Sequence, residues 1–190
     1  FSTTDSGGNT GTAQATVTVN DQAAPVVTAP VDITVAATDA SGTAASDAAI
    51  AAFLAAATAT DNVDLTLTIT NDAPATFPLG ATIVTFSTTD SGGNTGTAQA
   101  TVTVTDQGVP VVTAPADITV AATDASGTSA SDAAIAAFLA AATATDNVDL
   151  TLTITNDAPA TFPVGATIVT FSTTDSGGNT GTAQATVTVQ

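Results

Sequence analysis

The chain is 190 residues long, its 17 charged side chains are all aspartates, and the formal net charge is −17. It contains no Lys, Arg, His, Cys, Met, Trp or Tyr, which excludes a near-neutral general base, a Schiff-base lysine, a Ser-His-Asp triad, a disulfide and a thiolate site, and leaves no side-chain cation to hold nucleic acid or an anionic membrane surface. Charged residues are only 9 % of the chain against 44 % apolar ones, so the composition is that of a folded protein rather than a disordered acidic one.

From the N-terminus, Phe1 to Val19 reads as two strands around the turn Asp5-Ser6-Gly7-Gly8-Asn9. Val26 to Ala37 alternates loosely, and Pro25 and Pro30 confine it to an edge strand or a broken one. Thr38 to Gly42 is a turn. Ser46 then caps a short helix, with Asp47 in its first turn, and Ile50, Phe53, Leu54 and Ala57 fall on one helical face. The apolar stretch Ala48 to Ala57 is far shorter than the roughly 20 residues of a membrane span.

Thr58 to Asp64 leaves the helix as a polar loop. Leu65, Leu67 and Ile69 alternate with threonines and predict a half-buried strand. Turns follow at Asn71 to Pro74 and Phe77 to Gly80. The next strand places Val84, Phe86 and Thr88 on one face, opposite Ile83, Thr85 and Ser87. After the tight loop Asp90 to Asn94, a closing strand lines one face with Ala98, Ala100, Val102 and Val104. The predicted core of this unit is Ile50, Phe53, Leu67, Ile69, Phe77, Phe86 and Val102.

The same pattern recurs. FSTTDSGGNTGTAQATVTV begins at Phe1, Phe86 and Phe171, a period of 85 residues. Asp21–Thr105 aligns without gaps on Asp106–Gln190, and only six positions differ: 23, 24, 31, 44, 79 and 105 against their partners. A period this long suits a whole small domain rather than a solenoid unit. The expected organisation is residues 1–20 as the C-terminal hairpin of a preceding repeat, then full repeats at 21–105 and 106–190. Many short strands with regular turn signals predict an all-β class, with tandem immunoglobulin-like β-sandwiches each carrying one short inserted helix.

Each repeat resembles the hyalin repeat, an immunoglobulin-like extracellular module. The resemblance rests on Ala114-Pro115-Ala116-Asp117-Ile118-Thr119-Val120, on Thr143 to Asp149, on Thr161-Phe162-Pro163-Val164-Gly165 and on Thr173 to Thr180. It covers nearly the whole repeat. The chain departs from the family in lacking its cysteines and in the extra segment Ser131 to Ala137. The resemblance implies an extracellular or cell-surface setting and a role in adhesion or in surface stalks.

Each repeat carries eight aspartates, at 21, 32, 39, 47, 61, 64, 72 and 90 in the first. An antiparallel sandwich brings Asp21, Asp61, Asn62, Asp64, Asp90 and Asn94 to one pole, and Asp106, Asp146, Asn147, Asp149, Asp175 and Asn179 to the corresponding pole of the second repeat. Asp39, Ser41, Asn71 and Asp72 fall at the opposite pole, which in an array faces the next acidic cluster. Asp and Asn also favour turns for local reasons, and Asp32, Asp39 and Asp47 are read that way. The polar sets call for more. Four like charges with no counter-cation must raise their pKa values or take up a cation, and calcium wants six to eight hard oxygen ligands. Ca2+ is therefore the expected cofactor, held mainly by Asp61, Asp64 and Asp90 and by Asp146, Asp149 and Asp175. Asp21 and Asp106 tie in the linkers, and the four asparagines supply carbonyl oxygens.

The expected function is structural and non-enzymatic: a repeat segment of a large extracellular stalk, adhesin or fibre protein, with calcium rigidifying the joints between repeats. The glycines after Ser6 have neither the lysine nor the following helix of a phosphate loop. The expected partners are adjacent repeats of the same chain and other copies in a fibre, without nucleic acid or membrane contact. Two alternatives stay open: a self-assembling filament in which the hairpin of residues 1–19 docks on a neighbouring chain, and a calcium-dependent adhesive module that binds a ligand.

Overall fold

A computed structural model describes Phe1–Gln190. The first hairpin pairs β1 (Ser2–Thr4) with β2 (Thr10–Thr12), Thr3 opposite Gly11. The first repeat then runs β3 (Val26–Thr28), β4 (Ile33–Ala36), β5 (Thr43–Ala44), α1 (Ala48–Ala55), β6 (Thr58–Thr60), β7 (Thr70–Asn71), β8 (Thr76–Phe77), β9 (Gly80–Thr89) and β10 (Thr95–Thr105). The main sheet has the order β4-β10-β9-β7, and two-stranded sheets β3-β6 and β5-β8 complete the unit.

The two prolines explain the split of the first apolar run. Proline supplies no ladder N–H, and the run divides into β3, antiparallel to β6, and β4, parallel to β10 with Ile33 opposite Val102. Asp32, between them, accepts the Thr101 N–H at 2.7 Å, so a donor on β10 is satisfied beside the end of β4. Asp72 does the same for Thr85 N–H on β9, also at 2.7 Å.

β9 and β10 form a long antiparallel pair in which Ala98 faces Phe86 and Ala100 faces Val84. Their inward faces supply most of the core: Val84, Phe86, Ala100, Val102 and Val104 are buried, with Ile50 and Phe53 from α1 and Phe77 from β8. The Phe53 and Phe86 rings meet edge to face, their centroids 5.8 Å apart. Buried hydroxyls are bonded: Thr43 to Ala36 O and Thr88 to Thr68 O, both at 2.8 Å. In the turn before β5, Gly42 has φ 112°, and a β-carbon there would overlap the Phe77 carbonyl, so glycine is required on two counts.

Two expectations are corrected. The run from Leu65 to Ile69 is not a strand; only Thr70 and Asn71 pair with β9. The Thr68 carbonyl is taken by the Thr88 hydroxyl rather than by a backbone donor, and Leu65 is 93 % exposed. Leu67 is half-buried, and Ile69 is half-buried against the core. The helix cap is Asp47 and not Ser46: its carboxylate accepts the Ala49 and Ile50 N–H groups at 2.9 and 3.4 Å. Aspartate accepts from these orphan donors and adds negative charge at the positive end of the helix.

The second repeat reproduces this plan with β11 (Val111–Thr113), β12 (Ile118–Val120), β13 (Thr128–Ser129), α2 (Ala133–Ala140), β14 (Thr143–Thr145), β15 (Thr155–Asn156), β16 (Thr161–Phe162), β17 (Gly165–Thr174) and β18 (Thr180–Val189). Its main sheet is β12-β18-β17-β15, and every sheet is built within one repeat. The molecule is thus all-β in its sheets, with one short helix in each tandem unit. Phe1 in the leading hairpin is 91 % exposed, whereas Phe86 and Phe171, at the matching positions, are fully buried.

Candidate metal centre

Three connections converge at one pole of each repeat: the linker into β3, the segment after β6 and the β9–β10 loop. Asp61 follows β6 and folds the next residues around itself, accepting Val63 and Asp64 N–H at 2.9 and 3.1 Å. Asp90 does likewise for Asn94 N–H at 2.8 Å and also accepts its amide at 2.9 Å. Asp64 reaches across and takes the Ser91 N–H and hydroxyl at 3.0 and 2.9 Å. The linker is tied in where the Asn94 amide donates to Asp21 O at 3.3 Å.

The result is that one carboxylate oxygen from each of Asp21, Asp61, Asp64 and Asp90 lies within 4.8 Å of the others. Asp106, Asp146, Asp149 and Asp175 repeat the arrangement. The sequence reading also put four asparagines here. The structure sets Asn94 and Asn179 beside the carboxylates with their amide nitrogens turned to Asp90 and Asp175. Asn147 directs its amide away, to Ala37 O of the first repeat, at 3.1 Å. Asn62, at the matching position, is exposed.

Turn formation and cluster formation use different oxygens of the same side chains. Oδ1 of Asp21 accepts Ala23 N–H, Oδ1 of Asp61 accepts two amides, and Oδ1 of Asp106 accepts Gly108 N–H. Their Oδ2 atoms are shut off from solvent and have no hydrogen-bond partner. Asp90 and Asp175 are themselves only 8 % and 9 % exposed. An unpaired buried carboxylate oxygen is costly, and here three of them face further carboxylates.

Asp106 and Asp149 of the second cluster are shifted in opposite directions. Burial pushes the Asp106 carboxyl up from its usual range, against the Gly108 amide that lowers it, and the charges of Asp175, Asp146 and Asp149 add to the rise. Asp149 is held low, chiefly by the Ser176 amide and hydroxyl. Asp61 is held low by the amides of Val63 and Asp64. All the donors are hard oxygens, and the orphaned atoms lie among them, so the residues fit a hard divalent cation.

Of the other aspartates, Asp32 and Asp72 accept backbone amides of the main sheet, and Asp47 caps α1. Asp39 closes a turn onto Ser41 N–H and Oγ at 2.7 and 2.5 Å. The sequence reading missed Ser91 and Ser176, which join the two loops of the cluster. The available signal was a serine directly after the loop aspartate, in the stretch Asp-Ser-Gly-Gly-Asn.

A family model for the HYR domain matches the chain twice, over residues 20–104 and 105–189. No curated protein matches it in sequence.

Proposed function

The chain belongs to the HYR domain family, with two copies in tandem, and from this we propose that it is a structural segment of an extracellular stalk, adhesin or fibre protein whose repeat joints are stiffened by calcium. HYR domains are repeat modules of extracellular and cell-surface proteins, and no helix here is long and apolar enough to cross a membrane. Near-identity of the repeats suits a spacer, in which every unit does the same job.

The observation that carries the calcium reading is the set of buried, unpartnered Oδ2 atoms of Asp21, Asp61 and Asp106, each within a four-carboxylate cluster and with no Lys, Arg or His in the sequence. Asp21, Asp61, Asp64 and Asp90 would hold one ion, and Asp106, Asp146, Asp149 and Asp175 the other. The ion would supply the positive charge that the chain lacks. It would bind the linker aspartate to two loops of the repeat that follows, which removes the linker's freedom to swing. The linker Thr105 to Pro110 is short, so even a small gain in order at Asp106 restrains the angle between repeats.

The test is calorimetric titration with calcium, with melting and solution scattering in chelator and in millimolar calcium. Saturable binding of two ions, a raised melting temperature and a narrower spread of molecular lengths are expected. Identical melting and scattering in the two buffers would reduce the clusters to turn formers and end the proposal.

A further inference from the structure

One residue of the second repeat belongs to the core of the first. Val148 is 8 % exposed and packs in the buried cluster that holds Ala37, Val102 and Val104. Its counterpart Val63 is 57 % exposed, and the hairpin of residues 1–20 contains no counterpart of Ala37 for it to meet. Beside it, the Asn147 amide donates to Ala37 O at 3.1 Å. Ala37 is itself fixed at the end of the first repeat, its N–H donating to Thr105 O at 2.8 Å, so the docking point lies next to the start of the linker.

The linker comes close to this contact as well. A β-carbon added to Gly108 would overlap Asn147 Oδ1 and stand 3.3 Å from an Asp146 oxygen. The matching linker position is Ala23, one of the six differences between the repeats. The obstacle to a side chain at 108 is therefore the amide that spans the joint. An alanine there would crowd both Asn147 Oδ1 and Asp146 Oδ2, and relieving the closer of these contacts moves the amide that bonds Ala37 O.

We propose that Asn147 and Val148 form a docking knob for the base of the preceding repeat, and that glycine at position 108 admits it. The partner surface is the end of an adjacent repeat, formed by the Ala37 carbonyl and the apolar residues behind it. The contact itself is made by uncharged groups, while Asn147 directly follows Asp146 of the cluster and Gly108 donates to Asp106 Oδ1.

The experiment uses the whole 190-residue chain, which has no native cysteine. Exposed Gln99 and Gln184, one on each repeat, are changed to cysteine and spin-labelled, and the distance distribution between them is measured in chelator and in calcium. A narrow distribution is expected for the parent chain in at least one buffer. Gly108→Ala, Asn147→Ala and Val148→Ala should each broaden it there, while Val63→Ala should not. Gly108→Ala combined with Asn147→Ala should be no broader than Asn147→Ala alone, because both remove the same bond. A parent distribution as broad as that of Gly108→Ala in both buffers overturns the proposal, as does an additive double variant. If the widths behave as stated in both buffers but calcium does not bind, the lock holds and only the metal reading fails.

Discussion

Asp64 Oδ2 accepts both the amide and the hydroxyl of Ser91, at 3.0 and 2.9 Å, and Asp149 repeats the pair with Ser176 at 2.9 Å for each bond. These bonds join residues 27 apart in sequence and hold the segment after β6 against the β9–β10 loop. They tie the segment that carries Asp61 and Asp64 to the loop that carries Asp90, within the carboxylate cluster.

The first prediction concerns acid. Asp149 titrates below the usual carboxylate range because of its bonds to Ser176. A carboxyl lowered in the folded state stabilises that state above its unfolded pKa, and the contribution fades as pH falls through the folded value. Ser176→Ala removes the hydroxyl bond and should lower stability at pH 7 while leaving it nearly unchanged near pH 2. Urea unfolding midpoints from pH 7 to pH 2 test this. A loss that is the same at every pH would show that Ser176 acts by packing and not through the carboxylate.

The second prediction separates the two candidate caps of the helix. Asp47→Ala should cost about 1 kcal/mol, the usual value for an N-cap, and Asp132→Ala the same, since it accepts the matching amides. Ser46→Ala should fall within about 0.5 kcal/mol of zero, as for most surface changes. Equal losses at Ser46 and Asp47 would contradict the capping geometry. The cap was misplaced by one residue from sequence because Ser-Asp offers two good cap residues in succession. Which of them has its oxygen over the first turn depends on the backbone path out of β5.

The third prediction weighs the core. Phe86 is fully buried against Phe53, and Phe86→Ala should cost about 3–5 kcal/mol. Leu65→Ala, at a residue 93 % exposed, should cost less than about 0.5 kcal/mol. Chemical denaturation of both variants decides it, and comparable losses would place Leu65 in the core.

These residues also mark how far the sequence could be read. In a chain rich in alanine and threonine, the core must draw on the few large apolar groups: of the predicted set Ile50, Phe53, Phe77, Phe86 and Val102 are buried, and Leu67 and Ile69 are half-buried. Leu65, Leu67 and Ile69 alternate as a strand should, but alternation reports two faces and not whether a neighbour offers free backbone groups. Here a hydroxyl, Thr88 Oγ1, takes the carbonyl that a ladder would have used. The convergence of Asp21, Asp61, Asp64 and Asp90 followed from passing the chain back and forth between two poles, although Leu65 to Ile69 makes that passage without strand pairing. The direction of each asparagine amide did not, because it depends on which acceptors the packed loops bring near. Asn147 finds its acceptor in another repeat.

The last prediction uses the one carboxyl whose pKa rises. Burial and the charges of Asp175, Asp146 and Asp149 push Asp106 up. A group raised in the folded state stabilises it only while protonated: the contribution is present below the unfolded pKa and is lost as pH rises through the folded one. At neutral pH the ionised Asp106 is therefore a burden in the absence of a cation. Asp106→Asn keeps an Oδ1 acceptor for the Gly108 amide and removes the charge. In chelator at pH 7 it should raise the melting temperature, and the gain should vanish at pH 2–3, where the parent carboxyl is protonated in both states. In calcium the order should reverse. Stabilisation by a bound ion grows as RT ln(1 + [Ca]/Kd), about 2.7 kcal/mol at a hundredfold excess over Kd, and the variant has lost one ligand at the second cluster. Melting both proteins across a calcium series at pH 7 should give curves that cross. If Asp106→Asn is less stable than the parent in chelator, the carboxylate is not strained in the folded protein and the electrostatic case for a cation at that cluster is lost.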